Sequence, residues 1–457
     1  MTAMTATPAM TAVTDPSLSH HPFGLDPMWP ALAVLAVTYA AIIAGRVNRA
    51  VVALIGAVVV VLTGALDQDE ALKGVDWDTI GLLTGMMILV SISRRSGLFQ
   101  YLAIRSAQRV QANPAGILLM LQVATALLSA VLNNVSTVLL IVPVTLVIAE
   151  ELEVPPYPFL FAEIFAANIG GTATLIGDPP NILIGSQAGL DFNAFLANVA
   201  PVAVLVMAVQ AATVHLVWGR GLRASAEARV LVMGMNAPGM ITDWVLLRRS
   251  IAVMLAVLAA FALARPLHLQ PATIALTGAA ALLLLDNFKH RGTRQADNVQ
   301  ATFADVDWTT IFFFLGLFVV VHAVEASGLL ALAARKLAAA SGGDIATAGA
   351  VVLWASAALS ALLDNIPFVA TMIPLIKTMA GAYGGPGRIE PLWWCLSLGA
   401  CLGGNGTLTG ASANLAVAGI AERNGIRFGF IRYLAYAVPM TILSIAICHA
   451  YVWWRYF

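Results

Sequence analysis

The sequence predicts an all-α polytopic membrane protein, built as an inverted-topology repeat of two five-crossing halves, each with a re-entrant hairpin and a broken helix. The first observation is composition: 60% of the 457 residues are hydrophobic, only 11% are charged, and the mean hydropathy is +0.86. So few charges could not cover the surface of a soluble protein. The second is a pair of polar, glycine-rich segments within apolar regions, and the third is a set of motifs that recur at a nearly constant spacing.

The first polar segment, residues 168–181, interrupts an apolar run with paired glycines and paired prolines. In hydrocarbon such residues break a helix, and the freed backbone groups need new partners. Asp178 before Pro179 is typical of a new helix start, with the aspartate as the N-cap residue. A second segment of this kind occupies residues 403–414. Paired broken helices in the two halves of a chain indicate the binding site of a transporter.

The first half of the chain divides into spans by its hydropathy. We interpret residues 1–27 as a disordered N-terminal tail, because they are rich in Thr, Ala, Pro and Ser and contain no Lys or Arg. Two apolar arms around the polar tip 133–137 are each short for a full crossing, and Pro143 interrupts the second, which predicts a re-entrant hairpin. The apolar segments predicted within this half, residues 28–218, are 28–45, 51–66, 79–93, 115–149, 157–187 and 195–218.

A basic connector, residues 219–249, separates this half from a second transmembrane repeat at 250–457. The counterpart of Asn134 in the second half is Asn365, 231 positions later. The Val-Asp-Trp motif that begins at position 75 occurs again after the same interval. Chance similarity between apolar segments would not keep polar tips in register. We therefore infer an internal duplication.

An odd number of crossings in each half inverts the second half relative to the first. The distribution of basic residues is an independent test of this topology. With the N-terminus outside, 17 of the 24 lysines and arginines fall on the inner side of the membrane. This predicts a multi-pass protein of the cell inner (plasma) membrane, with a cytoplasmic connector and both termini outside.

Four polar elements should therefore meet near the middle of the membrane: two hairpin tips and two helix breaks. Their amides, hydroxyls and half-helix ends can replace the water stripped from a small polar solute. For a single Thr or Ser, satisfying broken backbone is the simpler interpretation, whereas the duplicated cluster favours a site. The candidate substrate-binding residues are Asn133, Asn134, Ser136, Thr137, Thr172, Thr174, Asn181, Asn365, Asn405, Thr407, Thr409, Ser412 and Asn414.

Three carboxylates are candidates for proton or ion coupling: Asp364, Asp178 and Glu163. Asp364 stands at the second hairpin tip where the first tip has Asn133, so one ionisable group breaks the symmetry. Burial at the tip disfavours the charged form, which suits this carboxyl to bind and release a proton or a small cation. Asp178 is more simply interpreted as an N-cap, because its equivalent in the second half is Ala411.

The predicted site has no fixed positive charge, because no Lys or Arg occurs in residues 111–219 or 389–422. The chain also lacks a GxxxxGK[ST] phosphate loop, so an ion gradient or a separate ATPase subunit would have to drive transport. Cys395, Cys401 and Cys448 show no metal-ligand spacing, which predicts free thiols and neither a metal site nor a cofactor. No nucleic-acid partner is expected.

The tip and break motifs, at 133–137, 170–181, 364–374 and 403–414, resemble those of the arsenite permease and P-protein family. That family belongs to the ion-transporter superfamily of inverted-repeat secondary carriers. The resemblance implies a scaffold domain, a moving transport domain and often a homodimer. It does not specify the substrate, because the relatives include arsenite and antimonite effluxers, sodium/proton antiporters and the melanosomal P-protein.

These observations predict a secondary active transporter rather than an enzyme, with proton-coupled efflux of arsenite and antimonite as the first expectation. Trivalent arsenic in water is a small neutral hydroxide, which suits a site of amides and hydroxyls. The alternative is a sodium/proton antiporter or a small-anion carrier on the same fold. An intramembrane aspartyl protease would need Asp178 and Asp364 to be apposed, and it would leave the duplicated broken helices unexplained.

Overall fold

The computed structural model describes residues 28–288, 292–340 (without the side chains of 337–340) and 342–457. The tail predicted at residues 1–27 lies outside this range. Within the described chain the regular structure is helical and no strand occurs. The helices of the first half are α1 (Met28–Ala44), α2 (Arg49–Leu62), α3 (Gln68–Lys73), α4 (Trp77–Arg94), α5 (Leu98–Arg109), α6 (Pro114–Val131), α7 (Asn134–Glu151), α8 (Tyr157–Thr172), α9 (Pro179–Ala188), α10 (Phe192–Asn198) and α11 (Ala200–Val217).

The second half repeats this order after a connector that holds one short α-helix. Short 3₁₀ turns flank that helix, and a third one lies in the second helix break. The remaining helices are α12 (Ala226–Gly234), α13 (Trp244–Ala262), α14 (Ala264–Leu267), α15 (Pro271–Asn287), α16 (Thr293–Ala304), α17 (Trp308–Ala326), α18 (Leu329–Ala340), α19 (Ile345–Leu362), α20 (Asn365–Met379), α21 (Glu390–Gly403), α22 (Ser412–Arg423) and α23 (Phe430–Tyr456).

The predicted fold class, an all-helical polytopic repeat, is confirmed. Seven of the described helices are long and apolar enough to cross a membrane, and an eighth unit forms if α4 and α5, which meet at a 64° bend, count as one span. Helices α1, α2 and α15 are also apolar but contain only 14 to 17 residues. Each half has a hairpin, α6–α7 or α19–α20, followed by a helix that breaks in its middle, α8–α9 or α21–α22.

The hairpin arms differ from the sequence prediction in length and continuity. Helices α6 and α7 have 18 residues each, and α7 continues through Pro143, which was predicted to interrupt it. Helix α20 likewise contains Pro374 in its interior. Proline removes one backbone hydrogen bond and bends a helix, but the flanking turns stay bonded and neighbouring helices hold the segment in place. The predicted interruption at Pro143 is therefore wrong.

The two halves interlock through their central helices. Helix α2 of the first half packs along α17 of the second, and α15 packs along α4 in the equivalent way. The backbones approach so closely that a Cβ atom on Gly316 would lie 2.4 Å from the carbonyl carbon of Ala53. A Cβ on Gly85, 231 positions earlier, would lie 2.7 Å from the carbonyl carbon of Ala275. Both contacts require glycine, since such a separation is far below van der Waals contact.

Two exposed positions test the predicted sidedness, Asp69 on α3 and Ser225 before α12. The cysteines Cys395, Cys401 and Cys448 are buried and free, so a version that lacks all three provides the background. We expect Asp69→Cys to react with a membrane-impermeant maleimide on intact cells, and Ser225→Cys to react only after permeabilisation. If both positions are labelled from the same side, the proposed crossing number of the first half is wrong.

Candidate substrate and ion site

Four helices begin at the centre of the molecule, one at each hairpin tip and one after each break. The N-cap residues of α7 and α20 are Asn133 and Asp364, and those of α9 and α22 are Asp178 and Ala411. A helix start carries unpaired N–H groups and a partial positive charge, so this arrangement favours negative charge at the point of convergence. The predicted meeting of two tips and two breaks is thus seen in the structure.

The two breaks are held by an equivalent asparagine in each half. Asn181 Nδ2 donates to the backbone oxygens of Thr172 and Thr174, at 2.9 Å each. Asn414 Nδ2 donates to the backbone oxygens of Gly404 and Thr407, at 2.8 Å each. Both asparagine side chains are fully buried. They replace the hydrogen bonds that the interrupted helix cannot make, as unwound backbone within a membrane requires.

Threonine hydroxyls attach each break to the neighbouring hairpin arm. Thr174 Oγ1 donates to the backbone oxygen of Ala130, and Thr407 Oγ1 donates to that of Ala361, each at 2.5 Å. Thr172 Oγ1 donates to a backbone oxygen within its own helix. The hairpin and the broken helix of each half are therefore one packed unit.

Asn168 joins the two halves at the centre. Its Nδ2 donates to Asn405 Oδ1 at 2.8 Å and to Asn414 Oδ1 at 2.9 Å, while its Oδ1 accepts from Asn134 Nδ2 at 3.1 Å. The sequence analysis did not include Asn168 among the site residues. Its place as the first polar residue of the break motif was the available signal, but its equivalent, Cys401, gave no sign of a shared role.

A cavity of about 190 Å³ lies where the helix starts converge. It is smaller than the ~300–1,000 Å³ typical of pockets for drug-sized ligands, which suits a small solute. Six predicted residues line it, namely Asn133, Asn134, Ser136, Asp178, Asn365 and Ser412. Polar residues that the sequence analysis did not assign to the site also line it, namely Arg49, Ser91, Arg94, Asp305, Asp307 and Thr310.

The other predicted residues lie behind this lining or beside it. Thr409 and Asp364 line a second cavity, of about 720 Å³, which shares Arg49 and Ser412 with the first. A substrate-contacting role for the remaining residues stays a prediction, because they lie outside both linings; they are Thr137, Thr172, Thr174, Asn181, Asn405, Thr407 and Asn414.

The expectation of a site without a fixed cation is corrected by Arg49. This residue opens α2, far from the motifs in sequence, and its guanidinium forms an ion pair with Asp364. Asp364 is therefore a carboxylate with a cationic partner within the protein, and not the unpaired ionisable group that the sequence analysis expected. Its Oδ1 is also 3.4 Å from the backbone nitrogen of Ile366, the weak cap of α20.

Asp178 also differs from its predicted role. It stands at the N-cap position of α9, yet its side chain makes no capping hydrogen bond. Its Oδ1 accepts from Asn134 Nδ2 at 3.3 Å, and its buried Oδ2 has no partner at hydrogen-bond distance. The residue is 1% exposed, and none of the ion pairs among the described residues includes it. An unneutralised carboxyl in this position is costly unless it binds a proton or a cation.

Glu163 is a second buried carboxyl that takes part in none of the ion pairs among the described residues. It lies on α8, fully buried, and Thr145 Oγ1 on α7 is 2.5 Å from its Oε1. Its other oxygen has no hydrogen-bond partner. Glu163 lies outside both cavity linings, so a part in a proton route remains a prediction.

The fold and the site define a membrane transporter: an all-helical repeat in which two broken helices and two hairpin tips surround a small polar cavity. The chain belongs to the CitMHS family, the citrate transporters, whose pattern matches residues 39–399. Relatives that are named as transporters agree with the prediction that the protein is not an enzyme.

Several characterised and uncharacterised proteins are similar over most of the chain. Two uncharacterized transporters of Mycobacterium tuberculosis are 39% and 40% identical over 431 and 434 residues, which is 93% of this chain and 98% of each relative. The P protein of Homo sapiens is 31% identical over 503 residues, which covers 92% of this chain and 59% of that protein. These relatives support the ion-transporter superfamily, but they do not single out the arsenite permeases.

Two solved structures share the fold. The YdaH transporter of Alcanivorax borkumensis has a TM-score of 0.59 at 16% identity, covering 94% of this chain and 98% of the other. MtrF of Neisseria gonorrhoeae, from a class of antimetabolite efflux pumps, has a TM-score of 0.59 at 14% identity, covering 94% of both chains. At these identities the similarity supports the fold alone.

Proposed function

We propose that the protein is a secondary active transporter that couples the movement of a small solute to a proton or small cation bound at Asp178. The observation that carries this proposal is a buried carboxyl with an unpartnered oxygen in the wall of the central cavity. The Asp178 carboxyl is neutralised when a proton or cation is bound and charged when none is bound, so ion binding changes the free energy of moving the site through the membrane. Because the solute moves with the same site, its transport depends on the bound ion.

For the solute, a small anion is better supported than a neutral hydroxide. Arg49 and Arg94 bring permanent cations to the cavity wall, where they pair with Asp364 and Asp305. The four helix starts add partial positive charge. The CitMHS family is described by citrate, a small carboxylate anion. This is the small-anion alternative of the sequence analysis, and Arg49 is the reason that it now comes first.

Proton-coupled efflux of arsenite and antimonite remains the second candidate. The observation in its favour is the lining of amides and hydroxyls from Asn133, Asn134, Ser136 and Asn365. Asp364 neutralises Arg49, so the pair as it stands offers no net charge to a neutral hydroxide. Thiol capture is not part of this candidate, because all three cysteines lie outside both cavity linings.

We also propose an orientation in the membrane and a mode of assembly for the protein. We place the protein in the cell inner membrane, with the connector at 219–249 in the cytoplasm and the repeats at 28–218 and 250–457. A secondary carrier of this kind works without an ATPase subunit, and the homodimer implied by the resemblance would contact through surfaces away from the central cavity.

Purified protein in liposomes tests the function directly. We expect an imposed inward proton or sodium gradient to drive uptake of radiolabelled citrate, and an ionophore that collapses the gradient to prevent it. Arsenite accumulation that antimonite inhibits would replace citrate by the second candidate. Sodium exchange for protons, with neither citrate nor arsenite moved, would show an antiporter. If neither citrate nor arsenite moves in response to a gradient, and sodium does not exchange for protons, the protein is not a carrier for these solutes.

A further inference from the structure

Arg49 makes polar contacts with three other helical elements at once. Its Nη1 pairs with Asp364 Oδ2 and donates to Ser412 Oγ at 2.9 Å, while its Nη2 donates to Thr310 Oγ1 at 3.1 Å. The guanidinium carbon also lies 5.1 Å from the ring centroid of Phe313. The side chains of Arg49 and Asp364 are 25% and 14% exposed, so the pair is only partly shielded from solvent.

These contacts join two different parts of the fold. Arg49, Thr310 and Phe313 belong to α2 and α17, which pack along each other. Asp364 and Ser412 begin α20 and α22, the second hairpin arm and the half-helix after the second break. The Arg49 side chain therefore ties the interlocked central helices to the hairpin and broken-helix unit.

The Arg49 side chain lines both cavities. Arg49 and Ser412 line the central cavity and also the larger one, which α1, α19 and α22 enclose. Asp364 lines only the larger cavity. A solute in the central cavity can therefore reach Arg49, although Asp364 is not part of that cavity's wall.

We propose that Arg49 is the anion-recognition residue of the carrier and that Asp364 is an internal anion, which the substrate displaces. The inference rests on the proposed function, and it adds the residue that selects the substrate. A planar guanidinium binds a carboxylate or another oxyanion through two parallel hydrogen bonds, so an anionic group of the substrate competes directly with Asp364. A neutral hydroxide lacks the charge needed for this exchange.

The exchange links binding to movement. While Arg49 holds Asp364 and contacts Ser412, the starts of α20 and α22 are fastened to α2. Substrate on the guanidinium releases Asp364 and removes that attachment. The proposal also explains why the second tip carries an aspartate where the first tip carries Asn133. Among the described residues, an arginine pairs with Asp364 and none bonds to Asn133.

Binding of citrate to purified protein, measured by calorimetry and by the shift in melting temperature, tests the exchange. We expect Asp364→Asn to tighten citrate binding about ten-fold, because the internal competitor no longer occupies most of the guanidinium. Arg49→Gln, and the double variant Arg49→Gln with Asp364→Asn, should lose citrate binding. The double variant removes both charges together, so it also shows whether the fold tolerates the loss of the pair.

Asp286→Asn is the matched control, because Asp286 pairs with Arg95 at 3.2 Å with similar exposure but lies outside both cavities. It should leave citrate affinity unchanged. Weaker or unchanged binding in a folded Asp364→Asn protein would overturn the proposal, as would the absence of citrate binding to both this variant and the unaltered protein. If binding shifts as expected but liposomes show no coupled transport, the proposed function fails and the anion exchange stands.

Discussion

Asp178→Asn is expected to abolish gradient-driven accumulation of substrate while leaving substrate binding within a few-fold of the unaltered protein. Asparagine keeps the size of the side chain and its contact with Asn134, but it cannot bind a proton and binds a cation more weakly. The carboxyl takes part in none of the ion pairs among the described residues, so none of these is lost. Uptake into liposomes with and without the gradient, together with calorimetric binding of citrate, separates the two effects.

Asp191→Asn is a suitable control, because Asp191 is the N-cap of α10 and lines neither the central cavity nor the larger one. It should retain accumulation. Asp178→Glu keeps the ionisable group and should recover part of the coupling. Full response of the Asp178→Asn protein to the gradient would remove Asp178 from the mechanism and return attention to Glu163.

The same experiment distinguishes Asp178 from Asp364. The sequence analysis gave Asp364 the leading part in coupling, because it is the ionisable group that breaks the symmetry of the tips. Its ion pair with Arg49 changes that assignment, since Asp364 already has a cationic partner within the protein. We therefore expect the Asp364→Asn protein to change affinity and the Asp178→Asn protein to change coupling.

The second large effect concerns folding. Gly170→Ala and Gly403→Ala should each greatly reduce the yield of folded protein, because α8 and α21 pass directly over the backbones of α6 and α19 at these residues. A Cβ on Gly170 would lie 2.2 Å from the backbone oxygen of Ala126, and one on Gly403 would lie 2.5 Å from the Cα of Ala357. These neighbours are backbone atoms that cannot rotate away. The cost should exceed the ~1–3 kcal/mol typical of overpacked cores.

Size-exclusion profiles of detergent-solubilised protein and its melting temperature measure this effect. Gly419→Ala is the matched control, because Gly419 lies within α22 and a Cβ there would meet nothing within 4 Å. Alanine at a free helical position should be neutral or stabilising by about 0.5–1 kcal/mol. Unchanged yield and melting temperature for both Gly170→Ala and Gly403→Ala would show that the helices separate at little cost.

Much of the architecture follows from local chemistry and was therefore readable in the sequence. Apolar length defines the spans, and paired Gly and Pro residues break a helix wherever they occur. The equivalence of Asn181 and Asn414 is visible as a repeated motif. In the structure each donates to two backbone oxygens of its own break, and one of these belongs to the equivalent threonines, Thr174 and Thr407. Proline within α7 was the exception, because neighbouring helices hold its turns together.

The sequence by itself determined the class of protein, the duplication and the polar segments that meet at the centre. Only the tertiary structure decided which charged groups of the site pair with one another. Arg49 and Asp364 are 315 residues apart and belong to different halves, and no local pattern around Arg49 predicts their contact. Interlocking of α2 with α17 brings the guanidinium to the second tip, whereas no described arginine or lysine pairs with Asp178. Because the energy of a charge depends on its partners in space, the roles of these two carboxylates could be separated only in the folded chain.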